Sequence, residues 1–229
     1  MNLESGKYLF ASPAAPYVRE HIKGVVLDIA QRYQVDGIHL DYIRYPGSQY
    51  SWDPYTQAAG YGYGTNDWKN YQRDMITDLV AEINQSLAND VFFSAAVWPV
   101  YQLKPEWGLS ASQGYHDYYQ DSQRWVQQGI IDAIMPMLYP VNYNNDPFAS
   151  HYGVLVSDFV QNQGPGKIVA GVGAGYSSFS EITSRIDIAR QSGALGHSVF
   201  SYGLLQQNPS YWDKFTEPDG PHQEPAIPY

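Results

Sequence analysis

The 229 residues contain no cysteine, which removes disulfides, thiolate metal sites and a cysteine nucleophile together. The absence does not separate a cytosolic from an exterior location. Long apolar runs are missing too, since none approaches the roughly 20 residues of a membrane span. The opening residues, Met1-Asn2-Leu3-Glu4-Ser5-Gly6-Lys7, do not form a signal peptide. Basic residues are scarce: 13 Lys and Arg face 23 Asp and Glu, a formal charge of -10. That balance argues against nucleic acid or an anionic membrane surface as a partner and otherwise serves solubility. The six histidines (His21, His39, His116, His151, His197 and His222) show no i,i+4 pair and no His-x-His pattern, so a metal site has little support. Gly171-Val172-Gly173-Ala174-Gly175-Tyr176 is glycine-rich but lacks the G-x-G-x-x-G spacing of a nucleotide loop. No Gly-x-Ser-x-Gly elbow is present. No cofactor is expected.

What is abundant is aromatic: 21 Tyr and 6 Trp. Such rings suit a sugar-lined cleft, with apolar faces for stacking and polar tips for the edges, and they also suit any solvent-facing loop. Along the chain, apolar strand-like segments alternate with helix-like ones. Strands are expected near residues 38, 93, 135, 169 and 199, each followed by a helical element. A helix opening at Ser12-Pro13-Ala14-Ala15-Pro16 has Val18, Ile22, Val25, Val26, Ile29 and Tyr33 at helical spacing. Thr65 or Asn66 is placed to cap another, and a third spans about 118–128, around Trp125, and stops at Gly129. Ser178 and Glu181 have capping-box spacing for a fourth. Residues 47–64 read as a long loop carrying Tyr50, Trp52, Tyr55, Tyr61 and Tyr63, either an ordered lid or a packed flap. The alternation predicts an α/β protein with a parallel sheet. Residues 1–215 read as one domain, and the proline-rich residues 216–229 as an extended tail.

The chemistry is expected around Asp36-Gly37-Ile38-His39-Leu40-Asp41-Tyr42-Ile43-Arg44-Tyr45-Pro46. Read as a strand, this stretch puts His39 and Asp41 on one face and Ile38, Leu40 and Tyr42 on the other. A carboxylate on an inward face is costly unless it is paired or used. Asp41 is therefore a functional candidate, with a structural ion pair to Arg44 as the alternative. Asp36 lies at the entry end and reads as structural.

The same stretch resembles the fourth-strand motif of the glycosyl-hydrolase-like family 10 proteins, which are bacterial (β/α)8 barrels. Tyr119-Gln120-Asp121 with Trp125 and Gly129, residues 134–139 (Ile-Met-Pro-Met-Leu-Tyr) and residues 196–202 (Gly-His-Ser-Val-Phe-Ser-Tyr) resemble the family as well. The resemblance implies a TIM-barrel fold and a secreted or periplasmic enzyme acting on polysaccharide, with peptidoglycan glycan strands a plausible substrate. The family's first three βα units have no counterpart here. About five units do not close an eight-stranded barrel, so the barrel is expected to be incomplete. Its free edges favour self-association or completion by missing N-terminal strands.

Glycoside hydrolysis usually needs two carboxyl groups flanking one bond. Asp41 is the first, and the chain offers Asp121, Asp117, Glu106 and Asp146 for the second. Asp121 belongs to the family-like pair but also suits a helix N-terminal charge. Asp146, before Pro147, also reads as a plain turn residue. Chitinase-like barrels, whose similar strand is Asp-Gly-x-x-x-Asp-x-Glu, place an acid where Ile43 stands, which argues against their mechanism. His39 is expected to bond Asp41 or a substrate hydroxyl, or to be a satisfied core histidine. Arg44 would clamp a sugar carboxylate or position Asp41. Tyr45, Trp98, Tyr139 and Tyr202, at predicted strand ends, would ring the mouth and stack on sugars, or simply pack.

Overall fold

The structure, a computed structural model, describes residues 9–217 and 220–222. Its elements run α1 (Pro16–Tyr33), β1 (Gly37–Leu40), α2 (Pro54–Ala58), α3 (Asn66–Ser86), β2 (Phe92–Val97), α4 (Gly114–Asp117), α5 (Ser122–Gln127), β3 (Ala133–Pro136), α6 (Tyr152–Gln161), β4 (Lys167–Gly173), α7 (Phe179–Gln191), β5 (Gly196–Phe200), α8 (Tyr202–Gln207) and α9 (Ser210–Lys214). The five strands form one sheet in chain order, β1-β2-β3-β4-β5, and every pair is parallel. This is half of a (β/α) barrel. Parallel neighbours put every strand's C-terminal end at one rim, so the loops after β1, β2, β3 and β5 share a mouth.

The register assigns the two faces. His39 pairs with Ser94, Ser94 with Ala133, Val169 with Gly196 and Gly173 with Phe200. The inner face therefore carries mostly small or polar groups, His39, Ser94, Ala96, Ala133, Gly171 and Ser198, with Met135 and Val169 as its larger apolar members. The outer face carries bulk, with Phe93, Val97, Ile134, Ile168 and Val172 fully buried. One apolar cluster lies where α1, α3 and α5 cover the first strands, built on Trp68, Ile83, Phe93 and Trp125. A second lies where α6 and α7 cover β4 and β5, built on Leu155, Val172, Ile182 and Ile186. Each such buried aliphatic or aromatic side chain contributes about 1.5–3 kcal/mol. Within the first cluster Trp125 Nε1 donates to Thr77 Oγ1 at 3.0 Å.

Local signals act largely as read. Pro16 occupies the first turn of α1, Thr65 Oγ1 accepts from Trp68 N at the start of α3, and Ser178 Oγ accepts from Ser180 N at the start of α7. The expected helix over 118–128 is shortened to α5, Ser122–Gln127, and the short α4 precedes it at Gly114–Asp117. Tyr119 takes a left-handed backbone (φ 52°) between them because Gln120 is drawn into bonds with the sheet. The 47–64 loop is ordered around α2, which Asp53 caps through Tyr55 N and Thr56 N. Residues 9–11 form no strand.

Most of the apolar spacing in α1 does not become core. Val26 is buried, but Ile22, Val25, Ile29 and Tyr33 remain exposed beside β1, whose outer edge pairs with no described strand. Such an apolar strip next to unpaired backbone favours association. The expected result is a light-scattering mass above that of one chain at micromolar concentration; a monodisperse monomer would refute it.

At the opposite edge the chain covers itself. His222 stacks on Phe215 and on His197 of β5, with 5.0 Å between ring centroids in both pairs, and the two histidine Nε2 atoms share a hydrogen bond of 2.8 Å. Arg190 of α7 donates to Pro221 O and also pairs with Asp187. The tail read over 216–229 thus folds back at 220–222, and residues 218–219 and 223–229 lie outside the described part. Burial, then His222 and Arg190, hold His197 down at about 4. The unfolded chain takes up this proton near pH 6.5, so between those values it binds more protons than the native state. Stability from this group is full above about pH 6.5 and is lost as pH falls towards 4. Denaturation midpoints should drop over that window, and the drop should flatten in His197→Gln.

Candidate active site at the mouth of the half-barrel

The site begins where β1 stops at Leu40. Tyr42 adopts φ 55°, an unusual backbone for an aromatic residue, and Arg44 N closes a tight turn on Tyr42 O at 2.8 Å. The strand alternation ends there. Tyr42 does not share the packing face of Ile38 and Leu40 but is exposed, while Ile43 and Tyr45 turn into the core. Asp41 is left exposed at the rim, and its Oδ1 accepts from Tyr42 N at 2.7 Å.

Gln120 fixes this loop to its neighbour. Fully buried, it donates through Nε2 to Ile43 O (3.1 Å) and Ala96 O (3.2 Å) and accepts from Trp98 N at Oε1 (2.7 Å). One side chain thereby binds the exit loops of β1 and β2 together. No sequence pattern flagged it beyond its place beside Asp121.

The candidate residues fall into two groups. Asp41, His39, Arg44, Trp98 and Tyr139 stand together at the mouth. His39 Nδ1 lies 2.9 Å from Ser94 Oγ rather than on Asp41; desolvation lowers its pKa and the Asp41 charge opposes this. Burial, then the Asp41 charge, pushes the Tyr139 hydroxyl above its usual pKa, with Arg44 acting the other way. Trp98 packs against Tyr118 with 4.0 Å between ring centroids and a 34° tilt, and it donates to Ser112 O.

The others are placed elsewhere. Tyr45 is 2% exposed, edge-on to Tyr119, with its hydroxyl donating to Gln72 Oε1. It is a core residue, so the expectation that its ring stacks on sugar fails. Tyr202 is the first residue of α8, and its ring faces Trp212. The strand ends two residues earlier than expected, and Phe200 takes the rim position, stacked on Tyr139 at 4.4 Å and 4°. Asp121 is buried, accepts from Tyr101 Oη at 2.7 Å and gives α5 no side-chain cap. Its surroundings, Tyr101 and Arg124, are not those of Asp41. Asp146 is no plain turn residue: it holds Arg185 at 2.8 Å and Tyr176 Oη at 2.7 Å in a buried cluster. Asp117 accepts from Gln113 N, and Glu106 lies exposed in the short 3-10 turn Pro105–Trp107.

Behind Tyr139 opens a cavity of about 660 Å³ lined by Trp98, Met137, Tyr139, Tyr143, Phe148 and Phe200. The glycine-rich end of β4 lies against two of these lining rings, Tyr139 and Tyr143, for a steric reason. A Cβ on Gly173 or Gly175 would come within 2.6 or 2.4 Å of the Tyr143 ring, and one on Gly171 within 2.4 Å of Pro136 O. These glycines admit aromatic rings against bare backbone. Phe200 and Tyr143 were missed in the sequence because their roles depend on contacts between distant strands. Among the described residues no group of three or more His, Asp or Glu could hold a metal, and no helix is long and apolar enough to cross a membrane.

The half-barrel is similar in structure to the glycoside hydrolase domain of PgaB (BpsB) from Bordetella bronchiseptica, with a TM-score of 0.64 at 13% identity over 93% of this chain and 66% of that one. It is also similar to a chitinase from Rhizomucor miehei (TM-score 0.57, 13% identity, 84% of this chain and 72% of that one). In sequence it is similar to glycosyl hydrolase YngK of Bacillus subtilis, 28% identical over 89% of this chain and 44% of the relative. Glycosyl hydrolase DigH of Escherichia coli K12 is 27% identical over 59% of this chain and 33% of the relative. The chain thus spans less than half the length of these curated relatives. The model of the family described as glycosyl hydrolase-like 10 matches residues 2–173, three quarters of the sequence and the whole of the Asp41 loop, and the chain belongs to that family.

Proposed function

We propose that this protein is a glycoside hydrolase acting on a bacterial polysaccharide, with peptidoglycan glycan strands as the substrate and a secreted or periplasmic place of action. The observation that carries the reading is Asp41, an exposed carboxylate at the C-terminal rim of a half-barrel, beside Tyr139 and within a family of hydrolase-like proteins. Asp41 supplies the nucleophile or base, and the rings of Trp98, Tyr139 and Phe200 receive sugar faces. Asp121 is the candidate for the partner acid of this proposal. The glutamate position of chitinase-like strands contributes nothing, because Ile43 is buried there.

A second reading, a carbohydrate-binding protein without turnover, is favoured by one observation: Asp121 is already engaged by Tyr101. Reducing-end release from purified glycan strands, measured for the native protein and for Asp41→Asn, separates the two. Release that disappears with Asp41 supports hydrolysis; binding with no release supports the second reading.

A further inference from the structure

Asp41 and Arg44 lie three residues apart on one loop, and an ion pair between them is the obvious expectation. None forms, and Arg44 makes no ion pair with any described residue. Its guanidinium lies 4.5, 5.3 and 5.9 Å from the ring centroids of Tyr42, Trp98 and Tyr118. Aromatic faces stabilise a cation without neutralising it. Arg44 Nη1 is buried and has no hydrogen-bond partner among the described residues, which is rare for a charged donor and costly unless something else satisfies the group. The positive charge also acts on Tyr139, as Asp41 does, so all three border the same mouth. The molecule as a whole carries -10 and repels anions at a distance. An arginine at the rim that makes no ion pair with a described residue is therefore set against the overall field.

We propose that Arg44 determines specificity by pairing with a carboxylate carried by the glycan, so that the substrate is an acidic polysaccharide and not a neutral one. The proposal rests on the hydrolase reading for its substrate but makes a separate claim. Asp41 faces the bond to be cleaved, and Arg44 reads an acidic substituent nearby. A planar guanidinium suits this task because its fork of N–H donors matches the two oxygens of a carboxylate. The carboxylate has two possible origins, a lactyl ether on an amino sugar or the C5 carboxyl of a uronic acid.

The test uses peptide-free peptidoglycan glycan strands for the first source and a polyuronate for the second. Each is offered as the free acid and after carbodiimide amidation, which removes the charge and keeps the chain. The free acid of one source should be bound and cleaved about 10- to 100-fold better than its amide, the worth of a charge-assisted hydrogen bond. In Arg44→Gln the ratio of acid to amide should fall to about one, and in Arg44→Lys, which keeps the charge without the fork, it should fall between. A thermal melt of each variant controls for folding, and the ratio is read on whatever activity remains. Equal cleavage of acid and amide by the native protein overturns the role of Arg44 and leaves the hydrolase reading standing. Binding that discriminates acid from amide without any cleavage supports Arg44 and removes the hydrolase reading. Failure to bind any of the four glycans overturns both.

Discussion

Asp41→Asn is expected to lower reducing-end release by at least about 100-fold, the usual loss when a nucleophile or general base is removed, while the fold is retained. The site makes the experiment clean. Asp41 is exposed, and its one hydrogen bond within the loop, from Tyr42 N, is also available to an asparagine oxygen. The substitution removes charge and nucleophilicity without leaving a cavity. Asp121→Asn is the informative partner. Asp121 is buried against Tyr101, and if it serves structure alone, losing its charge should cost about 1 kcal/mol of stability and leave turnover as it was. A joint loss of activity in both variants would make them the carboxyl pair. Full activity in Asp41→Asn would end the catalytic reading of this loop.

The second large effect is expected at Gln120, a residue that need not touch substrate. Gln120→Leu keeps the approximate size but strands the Trp98 N–H and the carbonyls of Ile43 and Ala96, all bonded by one amide. Each orphaned buried group costs about 1–3 kcal/mol, so a loss of about 3 kcal/mol or more is expected in urea denaturation. Activity should fall even at temperatures where the variant is folded, since the loops bearing Asp41 and Trp98 are no longer held together. Gln120→Glu offers a sharper version. Its carboxylate can still accept from Trp98 N but meets two carbonyl oxygens where the amide donated. Wild-type stability in both variants would mean that the loops are held by something other than this side chain.

The architecture was legible because apolar periodicity and βα spacing are local properties, and all five strands and their order follow from them. The Asp41 loop was legible for the same reason, as a run of strand residues ending in polar groups. Legibility failed where the chain leaves a strand. Alternation extended through Tyr42 and Tyr202 assigned both rings wrongly, because the backbone turns at Tyr42 and enters α8 after Phe200, and a shift of register exchanges faces. Tyr45 and Gln120 were decided by tertiary packing, which gave the aromatic side chain to the core and the polar one to the site. The apolar spacing of α1 was read correctly as a helix but not as an open surface, since periodicity shows that a face exists and not what covers it.

The glycines of β4 have a consequence for the thermodynamics of ligand binding. Tyr143 is wedged over Gly173 and Gly175 and edge-on to Tyr176 at 4.8 Å and 89°. Its rotamer freedom, on the order of 1 kcal/mol, is surrendered when the protein folds and not when a sugar arrives. A floor preorganised in this way lets a stacked ring keep more of its contact energy as affinity. Gly175→Ala would push on that floor without altering any charge at the mouth, a handle for loosening the grip on a glycan while leaving Asp41 and Arg44 in place.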